Sequence, residues 1–282
     1  MPEDAEPLAG RVMIMSGGSR GIGLKIAKRA AADGASITLI AKTDQPHPKL
    51  PGTIHTAAEE IERAGGAVLK VVGDVRDDAA VADAVDRTVE RFGGIDIVVN
   101  NASAIDLSST ETLSMKSYDL MQDINCRGSF LLSKLSIPAL KASALAERNP
   151  HILTLSPPLN LEPHWAGAHL GYTIAKYGMS LTTLGLAEEL RSHGIGVNSL
   201  WPRTTIATAA IRNRPGGEKR IATSRTPDIC ADAAYLVLTS PAERTTGNFL
   251  IDEEVLAEHG ITELDRYRAV PGAEPLTVDL FL

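Results

Sequence analysis

Cysteine is close to absent from this chain, with Cys126 and Cys230 its only two. Two distant thiols make no disulfide framework and show no metal-ligand spacing, so no metal is expected and a reducing, intracellular setting is. Each reads as a small buried apolar residue rather than a nucleophile. Long apolar runs are missing as well, and nothing approaches the ~20 residues that span a bilayer. The opening stretch MPEDAEPLAG is acidic and lacks an apolar core, which excludes a secretory signal and argues against an Arg-rich transit peptide. The closing DLFL carries no peroxisomal or retention tripeptide, so the cytoplasm is the expected location. Cation clusters are lacking too: 28 Lys and Arg lie scattered among 35 Asp and Glu, for a net charge of -7. Neither nucleic acid nor membrane is therefore expected as a partner.

What is present is a 44% hydrophobic composition over 282 residues, enough for one large α/β core and read as a single domain. From Arg11 to Trp201, short β-branched or aliphatic runs alternate with longer stretches of helical period. Candidate strands are Arg11 to Met15, Ser36 to Ala41, Ala67 to Val72, Ile95 to Val99, His151 to Leu155, Gly196 to Trp201 and Asn248 to Asp252. Helices are expected to start near Gly21, Ile54, Asp77, Ser114, Gly171 and Pro227, several behind an Asp, Ser or Thr that can cap them. Strands separated by helices predict an α/β fold: a doubly wound, Rossmann-type parallel sheet of about seven strands with helices on both faces. Two segments break the rhythm. One is the Pro-rich KTDQPHPKLPGT, Lys42 to Thr53; the other runs from Pro202 to about Thr226 and carries Pro215, Gly216 and Gly217. Long loops at the carboxyl ends of parallel strands are where such sheets bind ligands.

The first strand runs into SGGSRGIG, whose Gly17, Gly21 and Gly23 lead into a helix. A glycine-rich strand-to-helix turn lets backbone N–H groups approach a pyrophosphate at the positive end of a helix. This turn supplies Ser16, Gly17, Ser19, Arg20, Gly21, Ile22 and Gly23 as dinucleotide contacts. The second strand ends in Lys42 and Thr43, a cation and a hydroxyl that suit a 2′-phosphate and favour NADP; Asp44, two positions on, leaves NAD open. After the third strand, Asp74 and Val75 are placed to meet an adenine, although Asp74 reads equally as a helix cap. The fourth strand enters NNASA, small and polar, which puts Asn101 and Ala102 beside the cofactor.

The segment GYTIAKYGMS sets Tyr172 and Lys176 four residues apart, hence on one helix face. A packing contact, a chance hydrogen bond at a helix start and a proton-transfer pair all fit that spacing. A phenol near pKa 10 is a poor base at neutral pH, and a fixed ammonium beside it favours the phenolate.

In their order, SGGSRGIG, GDV, NNAS and YTIAK resemble the short-chain dehydrogenase/reductase family, with its glycine-rich turn, N-N-A-G after the fourth strand and Y-x-x-x-K. The likeness covers about Leu8 to Val255. More narrowly, SPPLNL and WPRTTIATAA are similar to a hydroxysteroid dehydrogenase-like branch, some of whose members carry a C-terminal sterol-carrier domain, which is not expected within these 282 residues. The resemblance implies a tail over 1–8, a dinucleotide-binding catalytic domain over 9–255 and an extension over 256–282 that packs on the domain or on a neighbouring subunit. It implies that Tyr172 is the general acid/base and that Lys176 tunes it and holds the nicotinamide ribose. By position, Asn125 is the helix asparagine that anchors a water relay, and Ser156 the serine that holds the substrate oxygen. The partner implied is a small, apolar molecule of steroid, acyl or terpenoid type, and the assembly a homodimer or homotetramer.

The likeness has gaps. Pro157 stands where the family places its working serine, so the substrate oxygen is left to Ser156, Asn160, His164 or Tyr172 alone. The family's P-G after the sixth strand is Pro202-Arg203, whose cation suits a phosphate, an acidic substrate or plain solvent. V-D-G-G is replaced by IDEE, Ile251 to Glu254, expected to alter subunit packing. Trp165 reads as a pocket wall or as a loop anchor. The expected function is an NADP-dependent oxidoreductase acting on a carbonyl or secondary alcohol; the rival is a cofactor-binding redox reporter or scaffold with little catalysis, motivated by Pro157.

Overall fold

The computed structural model describes residues 7–47, 50–213, 216–272 and 275–282. Residues 1–6 of the expected tail, Pro48 and Lys49 of the first long loop and Pro215 of the second lie outside the described residues. Seven strands form one parallel sheet: β1 (Val12–Ser16), β2 (Ser36–Ala41), β3 (Ala67–Val72), β4 (Ile97–Asn100), β5 (His151–Thr154), β6 (Gly196–Trp201) and β7 (Phe249–Ile251). Their order is β3-β2-β1-β4-β5-β6-β7, with Val12 of β1 beside Ser36 and Met13 beside Ile97. The chain winds outward from β1 to β3, then returns to place β4 on the other side of β1. That reversal opens a crevice between the carboxyl ends of β1 and β4, where open α/β sheets take their ligands.

Strand side chains alternate between two cores. Met13, Met15, Ile37, Leu39, Ile97 and Val99 pack with α1 (Gly21–Ala31), α2 (Ile54–Arg63) and α10 (Asp228–Thr239). Their neighbours Ile14, Ile40, Val98, Ile152 and Val197 face α3 (Asp78–Phe92), α5 (Gly128–Leu145) and α7 (Leu170–Leu190) on the other side. The period of two in the strands is what allows helices to cover both faces. The polar helix starts hold as well: Thr53 and Asp77 accept from the first-turn amides of α2 and α3, and Ser114 does so for α4 (Met115–Met121). Among the described residues, no helix is long and apolar enough to cross a membrane.

Three expectations change. Leu8, assigned to the tail, is 2% exposed in the first core, and its N–H donates to Asp33. The segment after β6 is no open loop, since it folds into α8 (Ala209–Arg212) and α9 (Gly217–Ala222). The break set at residue 255 cuts through α11 (Asp252–Glu258), whose Leu256 is fully buried. The rest of the extension packs on its own domain: Thr277 and Asp279 donate backbone hydrogen bonds to Thr223 and Arg203.

Candidate active site

The crevice is built first from backbone. The Ser16 hydroxyl, at the end of β1, accepts from the N–H groups of Asn101 and Ala102, each at 3.2 Å, and the Asn101 side-chain amide donates to the Gly17 carbonyl at 2.8 Å. The glycine turn is thereby tied to the end of β4. Only glycine permits this approach: Gly17 has φ +73°, and a Cβ on it would lie 2.8 Å from the Ala102 backbone. The helix that follows, α1, has no side-chain cap and no acid in its first turn, so its free N–H groups and positive end remain open to a phosphate.

A cavity of about 420 Å³ opens over this turn. Ten of the residues read as dinucleotide contacts border it: Gly17, Ser19, Arg20, Gly21, Ile22, Lys42, Asp74, Val75, Asn101 and Ala102. Ser16 and Gly23 stand behind them as scaffold, and Lys176 borders a second cavity instead. Arg20 donates to the carbonyls of Pro51 and Gly52, both at 3.0 Å, and so fastens the Pro-rich loop beside the cavity. Lys42 lies largely in solvent, 3.9 Å from Asp74. The Asp74 carboxylate is gripped by Arg76 at 2.7 and 3.0 Å, which holds it below the usual carboxylate range, and the cap of α3 is Asp77 rather than Asp74. Thr208, Ala209 and Ala210, at the head of α8, also line the cavity. Sequence reading missed them, its one signal being the length of the segment after β6. The cradle fits a dinucleotide: Gly17 and Gly21 line it at an uncapped helix end, and the cations Arg20 and Lys42 border it.

The second cavity, about 330 Å³, is bordered by Tyr172 and Lys176 and walled by Leu155, Trp201, Ile206, Ile211, Val278 and Leu280. It shares Ile22, Asn101, Ser103, Thr208 and Ala210 with the first, so the two cavities adjoin. Tyr172 is 4% exposed, its ring stacked on Phe281 with centroids 6.2 Å apart. The Lys176 ammonium is 2% exposed, donates to the Leu155 carbonyl at 2.6 Å and stands 4.9 Å from the Trp201 ring centroid. Burial pushes its pKa down to about 7, against the opposing charge of Asp279. Asn125 lies in a π-helical turn, Gln122–Arg127, between α4 and α5; its amide donates to the Ala104 carbonyl at 3.0 Å and accepts from the Ala104 N–H at 2.7 Å. π-turns inside helices recur at functional sites. Here the turn brings the amide against the chain that leaves β4.

The structure revises the readings around β5. Ser156 is 1% exposed, and its hydroxyl shares a hydrogen bond of 2.8 Å with Ser199, which in turn donates to Thr183. It supports the sheet end from behind and does not border the cavity. Asn160 donates to the Phe281 carbonyl at 3.1 Å, and the His164 ring lies tilted against Trp165 with centroids 4.5 Å apart. Trp165 lies on a short helix over Pro163–Ala168 and not in a loop; it packs 5.7 Å from the Phe281 ring and does not border the cavity. Arg203 pairs with Glu254, and Arg225 with Glu253 at 2.8 Å, so IDEE clasps the segment after β6. The wall formed by Thr277 to Leu280 carried no readable motif.

Residues 11–217 match the family model described as short chain dehydrogenase. The chain is 54% identical to hydroxysteroid dehydrogenase-like protein 2 of Xenopus tropicalis over 98% of its length and 64% of that relative's, and it spans between 51% and 66% of the length of the curated relatives it matches. Among solved structures, a short chain dehydrogenase of Mycobacterium thermoresistibile shares 58% identity at a TM-score of 0.91, covering 98% of this chain and 96% of that one. A dehydrogenase from Xanthomonas campestris, described as putative, shares 51% identity at a TM-score of 0.91, with 98% of each chain covered. More distant neighbours, each at a TM-score of 0.70 and covering 87% of this chain, were solved with NAD (24% identity, 96% of that chain) and with NADP (25% identity, 97% of that chain). With the doubly wound sheet, the glycine cradle and these matches together, the chain belongs to the short-chain dehydrogenase/reductase family of NAD(P)-dependent oxidoreductases.

Proposed function

We propose that the protein is an NADP-dependent oxidoreductase that moves a hydride between the nicotinamide and a carbonyl or secondary alcohol on an apolar, steroid-, acyl- or terpenoid-like molecule. One observation carries this reading: Tyr172 and Lys176 border an apolar-walled cavity that adjoins the dinucleotide-shaped cavity, with five residues common to both. The nicotinamide, when bound, supplies or accepts the hydride. Tyr172 gives its proton to the carbonyl oxygen in the reducing direction and takes it back in the other. Lys176, held by the Leu155 carbonyl, favours the phenolate by its charge and reaches the ribose. Asn125 braces the Ala104 backbone and holds the relay water. With Ser156 turned to Ser199, the substrate oxygen rests on Tyr172 without a serine partner.

Arg20, Lys42 and Thr43 border the adenosine end and support NADP over NAD. The same reading places the enzyme in the cytoplasm as a homodimer or homotetramer, with Phe130 of α5 and Leu181 and Leu184 of α7, each about half exposed, as the apolar contact faces. Pro157 and the engaged Ser156 hydroxyl favour a second reading, a dinucleotide-binding protein with little turnover. Initial rates of NADPH and NADH oxidation against a panel of ketones and aldehydes, with Tyr172→Phe as control, separate the two. Turnover that prefers NADPH and vanishes in the Phe variant supports the oxidoreductase; binding without turnover supports the second reading.

A further inference from the structure

Lys176 is an amine in company that disfavours its charge. Its near neighbours are neutral: the Leu155 carbonyl, the Met179 sulfur at 3.4 Å and the face of Trp201. A buried amine with only neutral partners gives up its proton, and a neutral amine neither favours a phenolate nor holds its place by charge. The charged and titratable groups that border the cavity are Tyr172 on the same helix, Arg220 from α9, which opposes a second cation, and Asp279. Behind the wall lie Asp252, at the head of α11, and Cys230, whose thiol is pushed up by burial first and then by the charges of Asp252 and Asp279. Among the described residues, Asp279 is the only acid bordering the cavity.

Asp279 arrives on a strap that is pinned on both sides. The Thr277 N–H donates to Thr223, the Thr205 N–H donates to Thr277 and the Asp279 N–H donates to Arg203, at 2.9, 2.9 and 3.0 Å. Past it, the Trp201 indole N–H donates to the Leu280 carbonyl at 2.9 Å, while the face of the same ring lies against Lys176. Phe281 is fully buried among the rings of Trp165, His169, Tyr172, Tyr177 and Trp201. The Leu280 N–H donates to the Asp279 carboxylate at 2.8 Å and fixes its direction. Trp201 is thus the common brace of the cation and of the strap that carries the anion.

We propose that Asp279 is a positioning residue for the catalytic lysine, the counter-charge that favours the ammonium form of the buried Lys176 side chain. The proposal rests on the reading of Tyr172 and Lys176 as a proton-transfer pair, but its test does not need turnover. Protein labelled with [6-13C]lysine is titrated by NMR, with Lys176→Met assigning the resonance. Wild type is expected to titrate near pH 7, and Asp279→Asn about one pH unit lower, because the opposite charge no longer favours the ammonium. Asp279→Ser gives a second neutral variant should the first fail to fold, and Asp279→Glu is expected to restore most of the wild-type midpoint. Neutral variants that fold and titrate together with wild type overturn the proposal. Turnover that survives Tyr172→Phe, measured separately with NADPH and the carbonyl panel, overturns the catalytic reading and leaves the lysine titration to decide on Asp279.

Discussion

Replacing Gly23 by alanine is expected to weaken dinucleotide binding about 30-fold while the protein stays folded. The methyl group would come 2.5 Å from the Asn101 side-chain nitrogen and 2.9 Å from the Gly17 carbonyl, inside the hydrogen bond those two atoms make. The Gly17 backbone has little room to yield, since its N–H is held by the Ile40 carbonyl at 3.0 Å and a Cβ on it would lie only 2.8 Å from the Ala102 backbone. Asn101 must therefore swing out. That loses one hydrogen bond, about 1 kcal/mol, and leaves the Gly17 carbonyl without its partner, about 1 kcal/mol more. Together they make about 2 kcal/mol, a factor of about 30, and it falls on two groups that line the cavity. Global stability changes less, because alanine gains up to about 1 kcal/mol over glycine within a helix. The assay is a fluorescence titration of NADPH beside a thermal melt, with Gly94→Ala as control, since nothing lies within 4 Å of a Cβ there. If the Gly23 variant binds as tightly as the control, the steric account of this turn is wrong.

Ser156→Ala is expected to leave kcat/KM within about threefold of wild type and to cost about 1 kcal/mol of stability, because its hydroxyl serves Ser199. A loss of 100-fold or more, the size of a missing oxyanion donor, would return Ser156 to the substrate oxygen. Asp252 is buried, which raises its pKa to about 6 against the pull of the Arg203 and Glu253 N–H groups. The folded state binds that proton more tightly than the unfolded one, so the penalty is absent below about pH 4, grows through pH 6 and is full above it. Asp252→Asn keeps the acceptor and should exceed wild type by about 2 to 3 kcal/mol at pH 8, with the gap closing toward pH 4 in urea unfolding; a gap independent of pH contradicts this. Phe281→Ala is expected to cost about 3 kcal/mol and to speed hydrogen exchange over 277–282, and unchanged exchange there would deny the strap its anchor.

The sheet was legible because its signals are local. A central parallel strand must be apolar on both sides, and a helix start needs a cap, so SITLIA and Thr53 announce themselves within a few residues. Tyr172 and Lys176 were legible for the same reason, being one turn apart on one helix. Ser156 faces another way in the structure than its position suggested, because sequence gives position and not direction. Beside Pro157, whose carbonyl accepts from Ser180 at 2.6 Å, the chain turns inward and carries the hydroxyl to Ser199. The cavity's far wall was invisible for a different reason. Thr208 to Ala210 and Thr277 to Leu280 carry no recognisable motif, and they reach the site only because distant parts of the chain fold onto each other.

Two oddities that looked separate in the sequence are a single change. Pro202-Arg203 in place of P-G and IDEE in place of V-D-G-G lie some fifty positions apart, and each alone reads as damage to a family motif. In three dimensions the added cation meets the added acid, Arg203 with Glu254, while Glu253 takes Arg225 from the other end of the same segment. Asp252 accepts from the Arg203 N–H at 2.8 Å, and the Arg203 carbonyl receives the Asp279 N–H at 3.0 Å. Half-exposed ion pairs contribute little each, but Arg225 is only 8% exposed at its side chain and also donates to the Leu264 carbonyl, so this end of the clasp is held in a dry setting. A flexible Pro-Gly turn would leave the strap without a fixed floor. The substitutions that loosen the likeness to the family therefore build the surface on which Asp279 and Phe281 are seated, and a double-mutant cycle on Arg203 and Glu254 should show coupling in the hydrogen exchange of 277–282.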